Sequence, residues 1–129
     1  MVAVARETRL IVGQVVLEER TQADLQILID ALPLAERYCT DGFTNYAELI
    51  WPLESRHVVS VLKEETYTIE GVNADLRTYL KRLARRCRCF SRCLEALKRA
   101  VRLFVWHYNR RQHLINKNYT FKSKLCLVF

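Results

Sequence analysis

The chain has 129 residues, a length typical of a single domain, and half of them are hydrophobic, which is enough to bury a core. This composition excludes an intrinsically disordered chain, and the apolar runs are too short for a membrane span of roughly 20 residues. The net charge of +7 is unevenly divided, because residues 1–76 hold 6 Lys and Arg against 13 Asp and Glu, whereas residues 77–129 hold 15 against 1.

The basic half favours a large anionic partner, and nucleic acid is the commonest one in a cell. The alternative is a solvated helix face without a ligand, but such a face normally mixes both signs of charge. The first residues lack a positive region followed by an apolar core, which argues against secretion. We therefore expect a soluble, cytoplasmic prokaryotic protein with nucleic acid as a partner and no membrane.

Two apolar runs open the chain, Val2–Ala5 and residues 10–17, and they predict a β-hairpin. Thr21 followed by Asp24 is typical of a helix N-cap with an acid in the first turn. The apolar spacing that follows predicts a helix that ends at Pro33.

The middle of the chain contains two further predicted strands, Arg37–Thr40 and residues 57–62, with a brief helix closed by Pro52 between them. A hairpin, a crossover helix and two more strands are the order expected of a mixed sheet flanked by helices. The sequence therefore predicts an α/β fold.

The basic half predicts two long amphipathic helices. The first begins at Ile69 and carries apolar and basic residues on different faces, and a break near residue 90 separates it from a second helix that reaches Leu114. The remaining residues have no helical period and form a tail of uncertain order. The predicted division is an α/β unit at residues 1–90, a helical extension at 91–114 and the tail at 115–129.

Five cysteines in a cytosolic chain are expected to be reduced thiols rather than a disulfide framework. Cys87, Cys89 and Cys93 cluster, but no fourth ligand stands at a familiar zinc spacing, so we assign them structural roles, with metal binding as the weaker alternative. Trp51 and Trp106 are expected to be core or interface residues rather than base-stacking residues, because both stand beside apolar positions.

Two acidic residues occupy positions suited to chemistry. Asp41 follows a predicted strand, at the carboxyl edge where the sites of open α/β sheets gather, although Asp-Gly is also an ordinary turn opener. Glu70 lies in the first turn of a predicted helix, where the helix dipole also favours a carboxylate. By itself, each acid is better explained by local structure.

Several separated motifs agree in order and spacing with one known family. They are T-D-G-F-x-x-Y at residues 40–46, I-E-x-x-N-x-x-L-R at 69–77, R-L-x-R-R at 82–86, F-S-R at 90–92 and H-Y-N-R at 107–110. Over about residues 8–113 the chain resembles the insertion-sequence-one family of bacterial transposases, which are of the DDE type.

The resemblance implies DNA transposition on a ribonuclease-H-like fold, in which three carboxylates bind two divalent ions, Mg²⁺ or Mn²⁺, and direct phosphoryl transfer on DNA. Carried over, Asp41 would be the second catalytic metal ligand and Glu70 the third. The residues expected to bind DNA are the polar and basic side chains that follow Glu70 on the basic helices: Asn73, Arg77, Lys81, Arg85, Arg86, Arg88 and Arg92.

The resemblance also implies an incomplete site. In such a sheet the first Asp lies on a central opening strand, which pairs with the second and fourth strands and would precede residue 1 here. We therefore expect an N-terminally truncated copy with a mixed sheet that lacks its first strand, followed by long basic helices. It would be catalytically defective alone, with two exposed strand edges that invite pairing.

Three roles remain open at this point: a defective transposase, a non-catalytic nucleic-acid-binding module, and a chain that pairs with itself or with an intact transposase. Three departures from the family pattern stand out: Gly71-Val72 replaces a basic residue and an aromatic or His, Cys87-Arg88-Cys89 replaces small or apolar residues, and the ending differs. Gly71 occupies the first turn of the long helix, where it costs about 1 kcal/mol relative to Ala. The tail after Leu114 is unlike the family.

Overall fold

The computed structural model describes residues 1–17, 19, 21–41, 43–53, 55–60, 67–83, 92–116 and 126–128. Five strands and three α-helices are described, together with two short 3₁₀ helices at Thr44–Tyr46 and Lys81–Leu83. In chain order they are β1 (Val2–Ala5), β2 (Ile11–Gln14), α1 (Gln22–Asp30), β3 (Arg37–Thr40), β4 (Arg56–Val59), α2 (Tyr67–Tyr79), α3 (Leu94–Ile115) and β5 (Cys126–Val128).

The predicted hairpin is confirmed. β1 and β2 pair antiparallel, with Val2 opposite Gln14 and Ala3 opposite Gly13. The turn between them closes with the Arg9 N–H donating to Ala5 O at 2.8 Å, and Arg9 has a φ of 57°, in the left-handed region. The hairpin therefore forms from contacts between residues close in sequence.

The predicted N-cap of α1 is confirmed as well. The Thr21 hydroxyl accepts a hydrogen bond from the Asp24 N–H at 3.2 Å, which satisfies one of the free donors of the first turn. Leu25, Leu28 and Ile29 are buried on one side of the helix. This face packs α1 against the sheet.

The sheet is mixed, with the strand order β2-β1-β5-β3-β4. β3 and β4 are parallel, β5 is parallel to β3, and β5 is antiparallel to β1. Leu127 stands between Ala5 on one side and Tyr38 on the other. The tail, predicted to be of uncertain order, thus contributes the central strand.

The prediction of two exposed strand edges is wrong at these positions, because β1 and β3 both pair with β5. Backbone N–H and C=O groups that would otherwise face solvent are bonded to the tail. The edge strands of the described sheet are β2 and β4.

Two core clusters cover the two faces of the sheet, as the alternation of side chains along a strand requires. Ala3, Ala5, Tyr38 and Leu127 pack on the α1 face. The opposite cluster combines strand residues with residues of α2 and α3: Val2, Val4, Ile11, Cys39, Ile69, Val72, Leu76 and Tyr108. Helices therefore flank the sheet on both sides, as predicted.

The second of the two predicted long helices is confirmed by α3, and its side chains fix the hairpin. The Asn109 side chain donates to Ile11 O at 2.8 Å and accepts from the Ile11 N–H at 2.9 Å, and Asn116 donates to Thr8 O at 2.7 Å. These bonds anchor the C-terminal part of α3 to β2 and the adjoining turn.

Within the described residues, the first long helix is shorter than predicted. The helix α2 ends at Tyr79, and a 3₁₀ helix follows. The predicted break near residue 90 lies outside the described residues, as does the end of the strand predicted over residues 57–62. The brief helix predicted before Pro52 is the 3₁₀ helix Thr44–Tyr46. None of the described helices is both long and apolar enough to cross a membrane.

The burial of Leu127 predicts that the tail stabilises the fold. Leu127 is 0% exposed between β1 and β3, so we expect Leu127→Ala to lower the free energy of unfolding by about 2–5 kcal/mol. Urea denaturation measures this value. Leu53→Ala is the matched control, because Leu53 is fully exposed. Equal stability of the two variants would contradict the central position of β5.

Gly71 predicts a stabilising substitution. A Cβ added there meets no atom within 4 Å, so Gly71→Ala should raise the free energy of unfolding by about 1 kcal/mol through helix propensity. Gly13→Ala is the contrasting variant, since its added methyl group meets the Leu32 side chain. A shift of the urea midpoint to lower concentration in Gly71→Ala would refute the prediction.

Candidate functional site

Asp41 lies directly beyond the carboxyl end of β3 and is exposed. Its carboxylate accepts a hydrogen bond from the Phe43 N–H at 3.2 Å, the pattern of an Asx turn. The strand end beside it is fixed by the Ser60 N–H, which donates to Thr40 O at 2.9 Å. Asp41 therefore occupies the predicted sheet edge and also supports the turn that it opens.

Glu70 is exposed in the first turn of α2, as predicted. The beginning of α2 lies near the start of β3: the Arg6 guanidinium lies over the Tyr67 ring, 5.9 Å from its centroid, and the Arg6 N–H donates to Cys126 O at 3.0 Å. Cys126 in turn pairs with Arg37, the first residue of β3.

Consequently, Tyr67, the first residue of α2, lies near the amino end of β3, whereas Asp41 lies beyond its carboxyl end. A strand rises about 3.3 Å per residue, so Asp41 is roughly 13 Å beyond Arg37 along β3. Glu70 is only about 4.5 Å beyond Tyr67 along the axis of α2. The structure places the two acids on separate elements and does not bring the start of α2 to Asp41.

A metal centre is not formed by the side chains in the described ranges. Within these ranges, no three His, Cys, Asp or Glu side chains are close enough together to hold a metal ion. Two divalent ions roughly 3.5–4 Å apart need several carboxylates around them. The donor set of the described residues therefore does not fit a two-metal centre.

Four of the residues expected to bind DNA fall within the described ranges. Asn73 is half-buried in α2, whereas Arg77, Lys81 and Arg92 are exposed. The other expected DNA-binding residues, Arg85, Arg86 and Arg88, lie outside the described residues, as do Cys87 and Cys89. Cys93, the third cysteine of the predicted cluster, is exposed at the N-cap of α3.

The outer face of α3 adds cations that were not assigned as site residues. Arg99, Arg102 and Arg110 are exposed, and Lys98 donates to the Glu95 carboxylate at 2.8 Å. The hydrogen bond and charge of Lys98 hold the pKa of Glu95 below its ordinary value, and the charges of Arg99 and Arg102 lower it further. Glu95 is the only acid in residues 77–129, so this face is strongly positive.

A cluster of aromatic rings beside Asp41 was not predicted. His57 Nε2 lies 2.8 Å from the Thr40 hydroxyl oxygen, and its ring stacks on Trp51 with centroids 4.2 Å apart. Trp51 also contacts Tyr38 and donates to Tyr46 O at 3.3 Å. Burial lowers the pKa of His57. The sequence placed His57 at the start of a strand but gave no sign of its partners.

The chain matches the model of a known protein family. The family model of the IS1 transposases, a group of DDE transposases, matches residues 1–110. This range includes the segments that hold Asp41 and Glu70, and it covers most of the chain. No curated protein and no solved structure shows a significant match.

The environment of His57 predicts a pH-dependent stability. Burial holds the pKa of His57 below its ordinary value of 6.5, so below that pH the folded protein binds fewer protons than the unfolded chain. Stability is therefore lost as the pH falls through about 6.5. Urea unfolding at about pH 7.5 and about pH 5.5 should show a smaller difference for His57→Gln than for the parent protein.

His113→Gln is the control for this comparison, because His113 is exposed near the end of α3. It should keep the difference seen in the parent protein. An unchanged difference in His57→Gln would show that burial of His57 contributes nothing to the pH dependence.

Proposed function

The chain belongs to the IS1 transposase family, and from this membership we propose that it binds DNA through its basic half without completing a catalytic centre of its own. Transposases act on DNA, so DNA is its partner. DDE transposases generally use divalent metal ions. Whether a chain of this family cleaves DNA depends on whether its carboxylates assemble around such ions.

The identity of the central strand carries the proposal. In the ribonuclease-H-like sheet that the resemblance implies, the strand between the second and fourth strands bears the first Asp. Here the strand between β1 and β3 is β5, with the sequence Cys-Leu-Val and no carboxylate. We infer that β5 substitutes for that strand in the sheet without supplying its metal ligand.

The positions of the remaining acids support the same conclusion. Asp41 and Glu70 are the candidate second and third ligands for Mg²⁺ or Mn²⁺, ions that prefer carboxylate and water oxygens. Tyr67 at the start of α2 lies near the amino end of β3 and Asp41 lies beyond its carboxyl end, which supports the inference that the two acids do not form a metal site by themselves. Neither acid is required for binding to the DNA backbone.

The basic half provides that binding. Arg77, Lys81 and Arg92 are exposed cations in the described part of it, and Arg85, Arg86 and Arg88 belong to the same stretch of sequence. Arginine and lysine side chains neutralise phosphates and release condensed counterions, which gives affinity with little preference for base sequence. Asn73 is suited to a polar contact beside Arg77, one helical turn away.

Pairing with an intact transposase, or with a second copy of this chain, is the alternative. This alternative requires vacant edges at β1 and β3, and β5 occupies both of these edges. To pair with β1 or β3, an incoming strand would first have to displace β5. The pairing alternative therefore finds less support than DNA binding.

The proposal predicts binding without cleavage. The purified chain, incubated with duplex DNA and Mg²⁺ or Mn²⁺, should bind with an affinity that falls steeply with salt and should leave the DNA intact. Asp41→Ala and Glu70→Ala should bind as the parent does. Metal-dependent cleavage that either substitution abolishes would overturn the proposal.

A pair of arginine variants locates the DNA-binding surface in the same assay. Arg77→Ala should weaken binding to all duplexes alike and reduce the slope of log affinity against log salt by about 1. Arg56→Ala is the matched control, since Arg56 is exposed on β4 in the acidic half. Equal losses in both variants would argue against a surface confined to the basic half.

A further inference from the structure

The two tryptophans of the chain have different environments. Trp51 is half-buried, packed between Tyr38 and His57, and its indole N–H is bonded to a backbone carbonyl. Trp106 is 58% exposed near the middle of α3. Trp51 is therefore a core residue, as expected from the sequence. Trp106 is too exposed to be one.

Trp106 projects from the cationic face of α3. Residues three or four apart share one face of a helix, so Arg99, Arg102, Trp106 and Arg110 follow one another along the outer side of α3. The Arg110 guanidinium lies over the Trp106 ring, 5.5 Å from its centroid. The opposite side of α3 is the one that packs inward, through Val101, Tyr108 and Gln112.

The three arginines are exposed. None of them forms a salt bridge within the part of the chain that the structure describes, and the nearby acid, Glu95, is bonded to Lys98. From Arg99 to Arg110 the row extends about 16 Å along the helix axis. An exposed indole with guanidinium groups on both sides presents a flat apolar ring within a strongly positive field.

We propose that Arg99, Arg102, Trp106 and Arg110 form a binding site for single-stranded nucleic acid, in which Trp106 stacks on an unpaired base and the arginines contact the flanking phosphates. The site rests on the proposed DNA-binding function and extends it to a second form of DNA. Bases in a duplex are stacked on one another and do not offer their faces to a side chain. A strand with free bases uses both the ring and the cations.

Tryptophan fluorescence tests the site directly, with oligothymidylate as the probe. The parent protein should show quenching of its tryptophan emission, and Trp106→Leu should lose it, since Trp51 is then the remaining tryptophan and packs against the core on the other face of the sheet from α3. A shift of the Trp51 emission of that variant to longer wavelength on addition of urea would show that its core is intact beforehand. Quenching that persists in Trp106→Leu would overturn the proposal.

Affinity measurements separate this site from general DNA binding. Trp106→Leu should weaken oligothymidylate binding about 5- to 150-fold, the factor that corresponds to one stacked base, while duplex affinity changes less than about 2-fold. Trp106→Tyr should retain most of the affinity because its ring still stacks. Leu103→Ala, at an exposed position one turn away, is the matched control and should bind as the parent does.

Each remaining outcome is informative. Equal losses for single-stranded and duplex DNA in Trp106→Leu would mean that Trp106 supports the helix rather than a base, and would refute the site while leaving the proposed function in place. Failure of the parent to bind either form would overturn both. Quenching by oligodeoxyuridylate and oligouridylate alike supports a site for single strands of either sugar, and quenching by oligodeoxyuridylate alone restricts it to DNA.

Discussion

The pairing of β5 between β1 and β3 is the constraint on which the rest of the structure depends. β1 and β2 form one pair and β3 and β4 another, and within the described sheet β5 is the strand bonded to a member of each. Leu127 is fully buried in the core on the α1 face, whereas Cys126 packs on the opposite face, with its sulfur 3.7 Å from that of Cys39. Three residues of the tail thus join both strand pairs and contribute to both layers of the core.

In this arrangement the sheet can be fully paired whether or not a catalytic site is complete. The short apolar strand β5 satisfies the backbone of β1 and β3, and Leu127 fills the space between them. A two-metal centre makes a stricter demand, because it needs carboxylates at fixed positions and not merely hydrogen bonds and volume. Family membership follows from the order of motifs along the chain, but catalysis requires that the side chains of those motifs meet.

Local features of this fold were predictable from the sequence, and non-local ones were not. The N-cap at Thr21, the strand Arg37–Thr40 and the second basic helix carry their signals within a few residues, and all three are confirmed. β5 has no such signal, since a three-residue run becomes a strand only when its neighbours from the other end of the chain are in place. A prediction that treats each segment alone cannot find it.

The candidate site shows the same division. The sequence identified Asp41 at a strand end and Glu70 in a first helical turn. The position of α2 relative to the sheet, however, depends on contacts of Tyr67 with the β1–β2 turn. The contacts of His57 with Thr40 and Trp51 depend on the folded sheet and are not visible in the sequence. Trp51 and Trp106 are the same residue type beside similar apolar positions, and only packing distinguishes a core ring from an exposed one.

Added salt has opposite effects on the stability of the free basic helix and on its affinity for DNA. Arg99 and Arg102 are one turn apart on α3, well within the Debye length of about 8 Å at physiological ionic strength. Their repulsion therefore destabilises the free helix, and added salt relieves it. The same salt weakens contacts with phosphates by reducing the gain from counterion release. A loss of DNA binding at high salt therefore cannot be attributed to repulsion-driven unfolding, because the conditions that dissociate the DNA are those in which the basic helices repel themselves least.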